Sequence, residues 1–108
     1  MLTQKSLNDL LQSVRNDLLQ NHIAPSKIIL FGSYAKGGLH KYSDVDVAVW
    51  SNNFNGDPIN DFEKVHPVIK KHRNVSFRLY PDYASAANFD PFIEIIEQTG
   101  IFVYEQKD

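Results

Sequence analysis

At 108 residues the chain has the length of one domain, read here as a single unit spanning 1–108, with room for one core and little surface for a second site. Hydrophobic residues at 43% and charged residues at 22% exclude a disordered chain, and the absence of cysteine excludes disulfides and thiolate metal sites. A net charge of −2 argues against a protein that coats nucleic acid by bulk electrostatics, while leaving room for a local basic patch.

The N-terminal stretch MLTQKSLNDL lacks a basic segment followed by an apolar run, so no signal peptide is expected. No apolar stretch approaches a membrane span, and the expected location is the cytoplasm. Leu7, Leu10, Leu11, Val14, Leu18 and Leu19 recur at spacings of three and four, which predicts a helix over about 4–21 with Thr3 or Ser6 as its cap. Pro25 and Ser26 mark the break after it.

The run 27–31, ending at Gly32, reads as a buried strand. Residues 32–38 form a turn with room for one helical turn. From Asp44 to Trp50, Val45, Val47 and Val49 share one face of a half-buried second strand. Asp57-Pro58 is a cap followed by proline at the first helical position, starting a helix that runs to about Lys71. Val75 to Tyr80 alternates as a third strand. Asp90-Pro91 repeats the cap signal before a short helix that stops at Thr99-Gly100, and 101–104 is a last strand. The alternation predicts an α/β (α+β) fold, a small mixed sheet with helices packed against it.

Asp44 and Asp46 lie two apart on a strand, so their carboxylates leave the same face. Side by side they repel, and each raises the other's pKa unless a cation sits between them. Hard oxygen ligands of this kind suit Mg²⁺ or Mn²⁺, with substrate phosphates completing the shell. Alone, such a pair is more often two acids on a solvated strand face, and a lone Gly-Ser is an ordinary turn. Here a buried strand runs into Gly32-Ser33, and Lys36, Ser43 and the two acids follow in order. Glycine admits close approach of a ligand, and a serine hydroxyl with free backbone N–H groups suits phosphate. A Walker loop is excluded because Gly37 is followed by Gly38 and Leu39, and the glycine spacing is wrong for a dinucleotide fingerprint.

Gly32-Ser33-Tyr34-Ala35-Lys36-Gly37, followed by Ser43-Asp44-Val45-Asp46-Val47-Ala48-Val49, resembles the signature of the minimal nucleotidyltransferases of the polymerase-beta superfamily. Proteins similar to these act as antitoxin partners of HEPN-domain toxins. The motif covers about a sixth of the chain, and the looser likeness extends through Asp90 to Ile101. The resemblance implies that Gly32, Ser33, Lys36 and Ser43 bind a nucleoside triphosphate, ATP first, and that Asp44 and Asp46 hold divalent metal and are catalytic. It also implies a third carboxylate on a later strand, and transfer of a nucleoside monophosphate to an acceptor hydroxyl, a tyrosine of the toxin in the antitoxin branch. The metals of such a site stabilise the attacking and leaving oxygens of an in-line displacement.

The third acid is expected at Ser76, where the sequence has none, and Arg78 puts a positive charge on that face. One reading is a working site, with Asp82 or Asp61 as the substitute acid. The other is a degenerate site that binds nucleotide or only a partner protein, Arg78 contacting phosphate. A third is a subunit whose acceptor-binding domain sits on another chain. His22, His40, His66 and His72 have no ligand spacing and read as surface or satisfied histidines. Lys70-Lys71-His72-Arg73 is explained by a helix C-terminus, with an RNA-facing role as the alternative. Trp50, Phe54, Tyr80, Tyr83 and Phe89 read mostly as core, one or two of them at a protein interface. The expected partners are a nucleoside triphosphate and a HEPN-like protein, with homo-oligomerisation open.

Overall fold

The computed structural model describes residues 3–36 and 44–106. Helix α1 (Gln4–Gln20) begins at Thr3, whose side chain accepts from the Ser6 N–H at 3.0 Å. The strand β1 (Pro25–Phe31) follows, then β2 (Val45–Ser51), α2 (Pro58–Lys71), β3 (Val75–Pro81), α3 (Phe92–Thr99) and β4 (Ile101–Glu105). The predicted strands and the three longer predicted helices are present, whereas the short helix expected after Gly32 is only a turn over the described residues 32–36. β1 starts two residues earlier than the periodicity indicates: Pro25, read as a break, is its first residue, a position where the missing N–H is tolerated. The register shifts between Pro25 and Lys27.

The four strands form one sheet in the order β3-β2-β1-β4. β1 pairs antiparallel with both β2 and β4, and β2 pairs parallel with β3, so the sheet is mixed. Helices α1 and α2 cover one face. Leu7, Leu11, Val14 and Leu18 of α1 and Val65 and Val68 of α2 pack there on Ile28, Leu30, Val45, Val47 and Val49.

The other face is covered over part of its length by α3, whose Ile93 and Ile96 meet Ile29, Ala48 and Trp50. β2 is therefore buried on both faces from Val47 onward, not half-buried as its alternation suggests. Trp50 is accommodated because its indole N–H donates to the Ala84 carbonyl at 3.1 Å. The end of this face that α3 leaves open carries Asp44, Asp46 and Ser76.

Candidate active site

The turn after β1 begins at Gly32, with φ +74°, a backbone region that side chains resist. The space above its Cα is already filled. A Cβ placed there would overlap Oδ2 of Asp46 and lie 3.2 Å from its carboxyl carbon. Glycine is thus required twice, by the dihedral and by the close approach of the carboxylate. The Lys36 N–H donates to the Gly32 carbonyl at 3.2 Å, closing one turn of helical type. Ser33 is half-buried in that turn and Lys36 is exposed. Neither side chain hydrogen-bonds another described residue. Ser43, also expected to contribute, lies outside the described residues, as does Gly37 of the motif.

Asp46 occupies the first turn of β2, with Phe31 of β1 opposite on one side and Ser76 of β3 opposite on the other. Asp44 precedes the strand and is exposed. Its Oδ2 accepts from the Ser76 hydroxyl at 3.1 Å. The two acids therefore meet on one face, as their spacing predicts. Burial of the Asp46 carboxyl raises its pKa above the ordinary value, the negative charge of Asp44 raises it further, and Arg78 draws it partly back.

Ser76 sits where the third carboxylate is expected, and neither proposed substitute reaches the site. Asp61 is buried at the start of α2, accepting the Asn55 and Gly56 N–H groups at 3.1 and 3.0 Å, so its role is to shape that loop. Asp82 follows β3 at the end remote from Asp46, because β2 and β3 run parallel. Among the described residues no group of three His, Cys, Asp or Glu side chains is placed to hold a metal ion.

Arg78 lies on the same face as Ser76, two residues along β3. Its guanidinium stacks over the Phe92 ring at 4.5 Å and approaches Asp90 at 3.8 Å. Asp90 accepts from the Phe92 N–H at 3.0 Å and from the Tyr80 hydroxyl at 3.1 Å. The cap expected at Asp90 is shifted, since Pro91 is the N-cap residue and makes no side-chain cap bond; Asp90, two residues before the helix, instead accepts the Phe92 N–H and faces Arg78. Nothing in the residue pattern marks Phe92 as the platform under Arg78, since the contact joins a strand and a helix from different parts of the chain. Its only trace was an aromatic at the start of an otherwise aliphatic helix.

Of the histidines, His72 is buried and its Nε2 lies 2.6 Å from Asp17, which also takes Lys71 at 3.2 Å. The basic cluster at the end of α2 is therefore partly a structural clamp onto α1. Among the aromatics, Trp50, Phe54 and Tyr80 are core, while Tyr83 and Phe89 are exposed.

Comparison with curated proteins finds no match. Among solved structures, the fold is similar to a toxin–antitoxin complex with AMP-PNP, at TM-score 0.61 and 22% identity over 93% of this chain and 74% of that one. It is also similar to the toxin–antitoxin MntA-HpeT carrying two aspartate-to-glutamate changes, at TM-score 0.58 and 19% identity with the same coverages. A third likeness is to a tri-AMPylated Shewanella oneidensis HEPN toxin in complex with an MNT antitoxin, at TM-score 0.52 and 20% identity over 89% of this chain and 73% of that one. At these identities the likeness speaks for the fold. The sequence profile of the nucleotidyltransferase domain matches residues 11–103, nearly the whole chain and the entire glycine-turn and acid-pair region, and the chain belongs to that family.

Proposed function

We propose that this chain moves a nucleoside monophosphate from a nucleoside triphosphate, ATP first, to a hydroxyl of a HEPN-like partner protein. The observation that carries the reading is the contact of the Asp46 carboxylate with the Cα of Gly32, beside Asp44. Metal-ligand oxygens and a phosphate-accepting turn then share one small volume. Asp44 and Asp46 would hold a divalent cation, Mg²⁺ or Mn²⁺. Burial and, after it, the neighbouring charge of Asp44 disfavour the ionised Asp46 carboxylate, and a cation between the two acids would offset both. When bound, the ion neutralises charge on the triphosphate and on the departing pyrophosphate.

The chain's own residues bind and orient. Gly32 admits the Asp46 carboxylate against the turn, and the Ser33 hydroxyl, Lys36 and Ser43 serve as donors to the phosphates. Arg78, held by Phe92 and Asp90, offers its remaining donors to phosphate oxygens. The neighbours containing AMP-PNP and an AMPylated HEPN toxin support ATP as donor and a toxin as acceptor.

The test uses ATP labelled at the α-phosphate, Mg²⁺, this chain and its HEPN-like partner. Label is expected on the partner and is expected to fall to background in Asp44→Ala/Asp46→Ala. A second reading, a binding module without turnover, is favoured by one observation: Ser76 stands where a third acid would activate the acceptor. Neutralisation of the partner by the double variant, with no label transferred by the unaltered chain, would establish that second reading and overturn the first.

A further inference from the structure

The register of the sheet places three features in a row across its open end. Gly32 and Ser33 leave β1 beside Phe31, Asp46 lies opposite Phe31 on the central strand, and Ser76 lies opposite Asp46 on β3. Adjacent strands are about 4.8 Å apart, so the Gly-Ser turn and Ser76 flank the acid pair from opposite sides, about 10 Å from one another. That span accommodates one phosphorus centre with an entering oxygen on one side and a leaving oxygen on the other. A displacement at phosphorus requires this arrangement.

Ser76 is exposed, and its hydroxyl already donates to Oδ2 of Asp44 at 3.1 Å. A nucleophilic hydroxyl paired with a hydrogen-bond acceptor is the local geometry that activation needs. Among the described residues no other hydroxyl hydrogen-bonds Asp44 or Asp46. The side on which an acceptor would enter therefore carries a hydroxyl of the chain itself.

From this geometry we infer that Ser76 is an internal acceptor: the chain transfers a nucleoside monophosphate to its own Ser76 Oγ. The inference rests on the nucleotidyl-transfer reading above and adds a modification site to it. In the step, Ser76 Oγ forms a bond to the α-phosphorus of the triphosphate and the bond from that phosphorus to the β-bridging oxygen breaks. Pyrophosphate leaves on the Gly32-Ser33 side. The hydroxyl proton is released to water at this exposed position, while the Asp44 carboxylate that accepts the Ser76 hydrogen bond orients the hydroxyl. The product is a phosphodiester on Ser76 that fills the acceptor side of the site, so modification limits transfer to a partner.

The experiment incubates the purified chain, with no partner, with ATP and Mg²⁺. It reads intact mass, the modified peptide and, separately, binding of a non-hydrolysable ATP analogue by titration. The expected result is a mass gain of one nucleoside monophosphate, mapped to Ser76. Its rate should not depend on protein concentration. Ser76→Ala should lose the adduct completely while still binding the analogue, and Ser76→Thr, which keeps a hydroxyl, should retain it at a reduced rate.

Analogue binding without an adduct on Ser76 overturns the inference and leaves the nucleotidyl-transfer reading standing. An adduct on another residue, or labelling that accelerates with protein concentration, likewise overturns the intramolecular step. Failure to bind the analogue at all overturns both readings.

Discussion

Gly32 is where the demands of backbone and site coincide. A positive φ costs a residue with a Cβ about 1–2 kcal/mol, and here the added atom also collides with the Asp46 carboxylate. Gly32→Ala is therefore expected to lower stability by at least about 1–2 kcal/mol in urea titration, and to weaken nucleotide binding in the same preparation because Asp46 must move. Asp46 carries the opposite kind of strain. The folded protein holds its proton more tightly than the unfolded chain does, so its contribution to stability declines as pH rises from the ordinary 3.8 through the raised folded value. At neutral pH the ionised group is a net liability without a cation. Asp46→Asn should thus raise the melting temperature of the metal-free protein at pH 7, by an amount that solvent screening keeps small, while abolishing transfer. An unchanged or lower melting temperature would show that the ionised Asp46 carries no net cost in the metal-free protein.

At the scale of elements, α1 and α2 are joined by a polar clamp as well as by leucine and valine packing. Asp17 is buried on α1 and meets His72 at 2.6 Å and Lys71 at 3.2 Å, just beyond and at the end of α2. The hydrogen bond from His72 is the main reason its carboxyl stays below the ordinary range, against the opposing effect of burial. A lowered folded-state value means the stabilisation is present above the unfolded value of 3.8 and is lost as pH falls through the folded one. Replacing Asp17 with Ala leaves His72 buried without its partner and should cost about 3 kcal/mol at pH 7. Denaturant melts from pH 7 downward should show the stability difference between the parent chain and Asp17→Ala holding to about pH 4 and narrowing below it. The caps were readable in advance: Thr3 and Asp57 both accept backbone N–H groups at their helix starts. The clamp was not: His72 read as a surface or satisfied histidine, and nothing local points to Asp17 as its partner, because the two are distant in sequence.

Across the whole molecule, the two faces of the sheet divide the labour. The α1/α2 face holds the larger core, and the α3 face carries a smaller one that ends where the acids begin. Ile96 is fully buried in that smaller core, so Ile96→Ala should cost about 2–5 kcal/mol by denaturant titration. Because α3 also brings Phe92 and Asp90 to Arg78, loosening it is expected to reduce nucleotide affinity at a temperature where the variant is still folded. Retained affinity would mean that Arg78 does not contribute to binding.

Hydrophobic periodicity, with cap and turn residues, located the three helices and four strands of the described residues and nearly where they begin and end, because spacings of two and of three to four are local properties of the backbone. Spacing also put Asp44 and Asp46 on one face, and the Gly-Ser motif ahead of them marked where phosphate would approach. Only the tertiary structure decided the strand order, the burial of Trp50 and Ala48 beneath α3, and the seating of Arg78 on Phe92. It alone brought the Asp46 carboxylate onto Gly32 and the Ser76 hydroxyl onto Asp44. Those are cross-strand contacts fixed by register, and register depends on how separate elements close over a shared core rather than on the order of residues within any one of them.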